Sequence, residues 1–252
     1  MVTGDTKLIA GANVVDVRRF GKGLVIDLDN DYSIAIHIKL TGQLIYQGSK
    51  ISKEGKVPKV SKEKVGTVPN KFTHIVFHLD HNSFLYYNDQ RQFGWFKIIQ
   101  TARLKEQSFF RDLGPEFFRD LTLAKFSDII QSSKTAIKPL VMDQKKMSGL
   151  GNIYANDGFN LARIDPRRKA NTLTSEEIKT LFSAFETVLK KGLEVGGASE
   201  LNYVNALGGE GGYQHHFNTY GREGKKCKNC GGIIEKIKLA GRGTYFCPAC
   251  QR

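Results

Sequence analysis

The chain has 252 residues, 38 Lys and Arg against 25 Asp and Glu, and a formal charge of +13. With 40% hydrophobic and 25% charged residues it can bury a real core, which excludes wholesale disorder. No apolar run approaches the ~20 residues of a membrane-crossing helix, Met1-Val2-Thr3-Gly4-Asp5 lacks the pattern of a secretory signal, and the positive excess points to a polyanionic partner met in the cytoplasm.

The first half reads as strands. Leu24-Val25-Ile26-Asp27-Leu28 is an apolar run. After the turn signal Asp29-Asn30-Asp31 the chain alternates, with Tyr32, Ile34, Ile36 and Ile38 on one face and Ser33, His37 and Lys39 on the other. The two runs are predicted to form a hairpin. Thr73, Ile75, Phe77 and Leu79 alternate in the same way, and Asp80-His81-Asn82-Ser83 turns the chain into Phe84-Leu85-Tyr86-Tyr87. Short strands at this spacing predict an antiparallel sandwich. Between Ser49 and Lys64 lie six Lys, two Glu and few apolar residues, which reads as an exposed loop.

Strand texture gives way to helix texture near Leu113-Gly114-Pro115. Thr174-Ser175-Glu176-Glu177 is a capping-box signature. Ile178, Leu181, Phe182, Phe185, Val188 and Leu189 follow at helical spacing, so they are expected in a core. Gly192 and then Gly196-Gly197 mark the expected end of this helix. Gly208-Gly209-Glu210-Gly211-Gly212 is too irregular for a phosphate-binding fingerprint and reads as a mobile loop.

All four cysteines, Cys227, Cys230, Cys247 and Cys250, fall near the C-terminus as C-x2-C-x16-C-x2-C. Two such pairs suit one tetrahedral Zn2+, because each short turn presents two thiolates to the same ion. Two disulfides are the competing reading, and a reducing compartment disfavours them. Gly221 to Arg252 carries eight Lys/Arg and two Glu, so a basic, metal-stapled knuckle suits a groove of DNA or RNA, or serves only as a clip.

Three stretches then combine: Gly149-Leu150-Gly151-Asn152-Ile153-Tyr154-Ala155-Asn156 after Lys138-Pro139-Leu140-Val141-Met142-Asp143; Tyr220-Gly221-Arg222-Glu223-Gly224; and Gly241-Arg242-Gly243-Thr244-Tyr245-Phe246-Cys247-Pro248-Ala249-Cys250-Gln251. Together they resemble the formamidopyrimidine-DNA glycosylase family of base-excision repair enzymes, over about Val14 to Arg252. The resemblance implies an α+β protein. Residues 1–113 would form an antiparallel β-sandwich, 114–220 a helix–two-turn–helix domain and 221–252 a four-cysteine zinc finger.

The same resemblance implies roles for particular residues. Gly151, the helix N-terminus after it and the Asn152 amide would hold a phosphate, and Arg242 would bracket the same strand. Leu40, Arg91 and Phe93 would fill the gap left by an everted base, and His74 lies in a segment resembling a DNA-contacting one. Lys22, in Arg18-Arg19-Phe20-Gly21-Lys22, would touch the phosphate beside the lesion and assist the reaction, with Arg242 assisting a later elimination. The Asn202 to Tyr213 stretch matches the loop that closes over an extruded purine, which favours oxidised purines.

The family's reaction uses an N-terminal Pro followed by Glu, whereas this chain starts Met1-Val2-Thr3 and has its earliest proline at Pro58. An abasic site is a masked aldehyde, so an amine of depressed pKa can form a Schiff base with it and cut the strand by β-elimination. Lys39, Lys22 and the Met1 α-amino group are candidates. The expectation is a monomeric protein, nucleoid-associated in a prokaryotic cytoplasm. It would bind double-stranded DNA carrying an oxidised base or abasic site, with lyase action favoured over base excision. The alternative is a lesion-binding protein without catalysis.

Overall fold

In a computed structural model of the chain, residues 2–48, 63–200 and 202–252 are described. Most of the Lys-rich stretch predicted as an exposed loop, and the Met1 amine, lie outside them. The chain forms two compact units, neither contiguous in sequence. The first holds Met1–Arg19, Gly23–Glu106 and Gly192–His215, and the second holds Phe20–Lys22, Gln107–Lys191 and His216–Arg252.

The first unit is built on strands β1 (Val2–Thr3), β2 (Val14–Phe20), β3 (Gly23–Leu28), β4 (Tyr32–His37), β5 (Gly42–Gln47), β6 (Thr73–Leu79), β7 (Ser83–Asp89) and β8 (Trp95–Gln100). They make a five-stranded sheet in the order β1-β8-β4-β3-β2 and a three-stranded sheet in the order β5-β7-β6. The two predicted hairpins form, with Leu24 opposite Ile36 and Phe77 opposite Leu85. One pairing departs from the antiparallel expectation: β1 runs parallel to β8.

The alternation of β4 has the predicted consequence. Ile34 and Ile36 enter a core with Ile26, Tyr87 and Phe96, and Leu44, Ile75 and Phe77 of the other sheet pack against it. Tyr87 and Phe96 bridge the sheets edge to face at 4.7 Å between ring centroids. The opposite face of β4 is covered as well, so Ser33 and Ala35 are also buried. There the Ser33 hydroxyl donates to Asp27, which pairs with Arg18.

The second unit carries helices α1 (Ser108–Arg111), α2 (Leu123–Gln131), α3 (Ile137–Met142), α4 (Asn152–Ala162) and α5 (Ser175–Glu194), then the hairpin β9 (Glu235–Leu239) and β10 (Arg242–Phe246). The capping box is realised: the Glu177 N–H donates to Thr174 Oγ1 at 3.3 Å, and the Thr174 N–H to Glu177 Oε2 at 2.8 Å. Behind it, Ile178, Leu181, Phe185 and the flanking Phe182 meet Phe117, Phe126 and Phe159 in one core. Each such side chain contributes about 1.5–3 kcal/mol by burial. Gly158 sits within α4 because a Cβ there would lie 2.3 Å from the Phe185 ring.

The end of α5 differs from the expectation at Gly192, which lies inside the helix. Termination comes at Gly196 and Gly197, both at positive φ, with the Gly197 N–H donating to Gly192 O at 2.7 Å. The glycine-rich stretch beyond is hydrogen-bonded at several points. Asn205 Oδ1 accepts from the N–H groups of Leu207 and Gly209, Ser199 Oγ accepts from Gly211, and Ala206 O accepts from the Tyr46 N–H at 2.7 Å. Among the described residues, no helix is long and apolar enough to cross a membrane.

Candidate nucleic-acid interface

The metal centre follows from two tight turns. After Cys227 the chain folds back so that the Gly231 N–H donates to Cys227 O, and after Cys247 the N–H groups of Cys250 and Gln251 both donate to Cys247 O. All four Sγ atoms lie within 4.8 Å of one another, with Cys227 and Cys250 at 3.8 Å and Cys230 and Cys247 at 3.6 Å. A tetrahedron with Zn–S bonds of about 2.3 Å has edges of about 3.8 Å. The cysteines are free thiols, far beyond the ~2.05 Å of an S–S bond. The donor set and spacing therefore fit one structural Zn2+. Asn160 and Gln251 bond each other at 3.0 Å, and the Asn160 amide reaches Cys227 Sγ, which fastens the knuckle to α4.

The glycine turn is built from both sides of the sequence. Gln144 reaches across it, donating to Met142 O and Leu150 O and accepting from the Gly149 N–H. Gly149 adopts φ +92° with the buried Glu116 carboxylate where a Cβ would point, 2.9 Å away. Glu116 also accepts from the Gly21 N–H at 3.2 Å, so one carboxylate braces the turn and the loop that carries Lys22. Gly151 then caps α4, whose first N–H groups have no acceptor within the helix.

Four of the predicted residues, Lys22, Gly151, Asn152 and Arg242, converge here. The Lys22 amine lies over Gly151, 3.6 Å from where a Cβ would stand. Loss of surrounding water, reinforced by the nearby Arg242 guanidinium, lowers the Lys22 pKa to about 8. Lys22 still presents surface to solvent, so it stays reachable. Asn152, the first residue of α4, donates its side-chain amide to Gly243 O at 3.1 Å, next to Arg242 on the hairpin. Asn156, one turn on, accepts from the Tyr245 N–H at 2.8 Å.

Lys138 is a residue that sequence reasoning missed. It is buried in α3 and donates to Gly243 O at 3.0 Å and Thr244 Oγ1 at 2.7 Å. Its one sequence signal is a lysine set in the apolar run Ile137-Lys138-Pro139-Leu140-Val141.

The remaining predicted residues belong to the first unit. Leu40 and Phe93 are exposed by 57% and 55%, which removes core packing as their explanation. The Arg91 guanidinium lies 4.7 Å from the Phe93 ring centroid. The loop that presents Arg91 and Phe93 is organised by Asp89, which is wholly buried. Asp89 accepts from the Thr41 hydroxyl, the Arg91 N–H, the Tyr87 hydroxyl and the Gly94 N–H. Burial raises the Asp89 pKa, but these donors outweigh it and hold the carboxyl below its ordinary value. His74, exposed on β6, bonds Asp89 O through Nε2 at 2.9 Å. Lys39 is exposed at φ +54°, its N–H donating to His37 Nδ1.

A β-sandwich unit, a helical unit with a glycine turn, and a four-cysteine hairpin bolted to that turn define a zinc-finger protein of the helix–two-turn–helix class. Comparison with known proteins specifies it further. The family model for the formamidopyrimidine-DNA glycosylase N-terminal domain matches residues 3–96, that for the H2TH domain of the same glycosylase matches 113–202, and the zinc finger found in FPG and IleRS matches 224–252. The formamidopyrimidine-DNA glycosylase of Rickettsia africae is 37% identical over 247 residues, covering 98% of this chain and 84% of the relative. That of Lactiplantibacillus plantarum is 36% identical over 245 residues, covering 97% and 84%. Two Lactococcus lactis Fpg structures superpose with TM-scores of 0.84 at 30% identity, covering 98% of this chain and 84% of theirs. One is a point mutant in complex with DNA containing Fapy-dG, the other a complex with abasic-site DNA. The chain belongs to the formamidopyrimidine-DNA glycosylase family.

Proposed function

We propose that this chain acts on damaged double-stranded DNA, and that strand incision at an abasic site is the chemistry its described residues are best equipped for. The observation that carries this reading is the convergence, within one unit, of an amine of lowered pKa, a helix N-terminus and a guanidinium. The helix N-terminus and Arg242 suit a backbone phosphate. Lys22 beside them suits the sugar. Labour divides along the predicted segments: 1–113 supplies the residues that fill the gap, 114–220 the glycine turn and 221–252 the metal-held arginine.

In the proposed step, unprotonated Lys22 Nζ adds to C1′ of the ring-opened sugar, and the adduct loses water to give an iminium. Loss of a C2′ proton then expels the 3′ phosphate and cuts the strand, and water hydrolyses the imine to return the amine. Leu40, Arg91 and Phe93 occupy the space of an everted nucleotide, with Phe93 and Leu40 stacking and Arg91 reaching the unpaired partner base. Base excision is the activity that the family name carries, and oxidised purines are the substrates that the 202–213 loop favours by resemblance. The Lactococcus lactis complexes with Fapy-dG and abasic DNA support this substrate class.

Borohydride trapping tests the reading. Incubation with abasic duplex and borohydride is expected to give a covalent adduct on a denaturing gel. Lys22→Ala is expected to abolish the adduct and Lys39→Ala to leave it. Tight binding with no adduct from the wild-type chain would instead establish a lesion-binding protein without catalysis.

A further inference from the structure

Lys138 is a buried charged group that the proposed chemistry leaves unused. It is 1% exposed, and its Nζ has no carboxylate partner among the described residues. Burying an amine without a counter-ion is costly, and a methionine of similar volume would fill the same space without that cost. The geometry shows what the amine does instead. Its two bonds both go to the strand that begins with Arg242: one to Gly243 O at 3.0 Å, the other to Thr244 Oγ1 at 2.7 Å. The Thr244 hydroxyl, itself fully buried, donates its own proton to Arg242 O at 3.3 Å.

Two consecutive carbonyls are therefore held from one nitrogen, Gly243 O directly and Arg242 O through a hydroxyl. Asn152 Nδ2 adds a second donor to Gly243 O at 3.1 Å. The same carbonyl thus ties α3, the first residue of α4 and the hairpin together. Ammonium and neutral amine both have the two donors this arrangement needs, so the brace holds in either protonation state.

We propose that Lys138 is a positioning residue for Arg242: it fixes the backbone at Arg242 and Gly243 so that the guanidinium is presented in register with the N-terminus of α4. This rests on the reading above in which Arg242 grips a DNA phosphate. Arg242 is the first residue of β10, directly after the two-residue connection Ala240-Gly241, so the backbone that carries it is set where the hairpin meets α3 and α4. A contact held in place before the ligand arrives avoids the ordering cost of forming it.

The test is a double-mutant cycle on the full-length, zinc-loaded protein, with affinity for a duplex carrying a tetrahydrofuran abasic analogue as the readout. Lys138→Met is expected to weaken binding about 10- to 100-fold, the scale of a lost charge-assisted bond, with zinc still stoichiometric. Arg242→Ala is expected to lose at least as much. The double variant is expected to bind within about threefold of Arg242→Ala alone, because a residue acting through Arg242 has nothing left to act on. Thr244→Val, which removes only the relay hydroxyl, is expected to lose less and to be equally silent in the Arg242→Ala background. It also serves where Lys138→Met folds poorly.

Losses that multiply in the double variants would overturn the proposal, as would wild-type binding by both Lys138→Met and Thr244→Val. If Arg242→Ala loses affinity and the other two do not, the positioning role alone fails. If Arg242→Ala binds like wild type, the phosphate-grip reading fails and takes the positioning role with it.

Discussion

Replacing Asp89 by Asn probes how the exposed pair Arg91 and Phe93 is held out. The carboxylate divides its four donors evenly. Oδ1 takes the Thr41 hydroxyl and the Arg91 N–H at 3.2 Å, and Oδ2 takes the Tyr87 hydroxyl at 2.9 Å and the Gly94 N–H at 2.8 Å. An asparagine keeps one oxygen and turns the other end into a donor. The hydroxyl on that side can rotate and accept, but the backbone N–H cannot: an amide nitrogen at the Oδ2 position leaves the buried Gly94 N–H without its acceptor, and one at the Oδ1 position leaves the Arg91 N–H with Thr41 Oγ1 alone, at 3.1 Å. That loss costs about 1.5–3 kcal/mol, and the surviving bonds weaken from charge-assisted to neutral, for a total of about 3 kcal/mol.

Urea unfolding followed by fluorescence of the sole tryptophan, Trp95 on β8 of the same unit, measures this directly. Thr41→Val, which removes a single donor, should cost about 1 kcal/mol. The pH dependence has a fixed sign. Because the folded carboxyl titrates below its unfolded value, its contribution is complete above about pH 4 and is lost as pH falls through the folded pKa. Asp89→Asn should therefore flatten the acid limb of the stability curve. A loss under about 0.5 kcal/mol, well below the cost of an orphaned buried donor, or one no larger than that of Thr41→Val, would refute the account of the loop.

Lys22, with a pKa near 8, should give a trapping rate that climbs with pH and levels off above about pH 8; a rate still rising past about pH 9 would mean an ordinary lysine attacks. Cys247→Ser should drop the zinc content from one per chain to none and unfold the hairpin, read by metal analysis and NMR, since metal binding here is folding energy of roughly 10 kcal/mol or more. Arg242→Ala should reduce the slope of log affinity against log salt by about 0.9, the share of one phosphate contact, in titrations between about 50 and 200 mM salt. Arg91→Ala should weaken binding to lesion duplex more than to intact duplex, and equal losses in a competition assay would remove it from the gap-filling role.

What could be read from the residue string was whatever repeats at short range. The strands β4 and β6 follow from alternation, β3 and β7 from apolar stretches set off by turn signals, the start of α5 from Thr174 and Glu177, and the metal site from two pairs of cysteines. What stayed hidden depends on partners distant in the chain. Glu116 bonds Gly21 across 95 positions, and Lys138 bonds Thr244 across 106. A charged residue bonded that way looks in sequence like any surface residue. The bonds that hold the glycine-rich stretch stayed hidden for a related reason: glycine signals backbone freedom, but only the fold brings Ser199 and Tyr46 to it. Gly94 shows the opposite side of this, since a Cβ there would fall 1.7 Å from the Tyr87 hydroxyl, an obstacle no local pattern announces.

Phe20–Lys22 belongs to the second unit although its neighbours on both sides belong to the first, and Gly192–His215 makes the reverse excursion. A cut between Glu106 and Gln107 therefore does not yield two self-sufficient pieces. The C-terminal fragment would lack the Gly21 N–H that Glu116 accepts, and the N-terminal fragment would lack Ala206, the acceptor for Tyr46. Chimeras exchanged at that point between relatives would have to re-form both contacts from unlike parents, the first on the Glu116 side chain and the second between two backbones. Viable hybrids need the tripeptide 20–22 transplanted with residues 107–191, and residues 192–215 left with their original sheet.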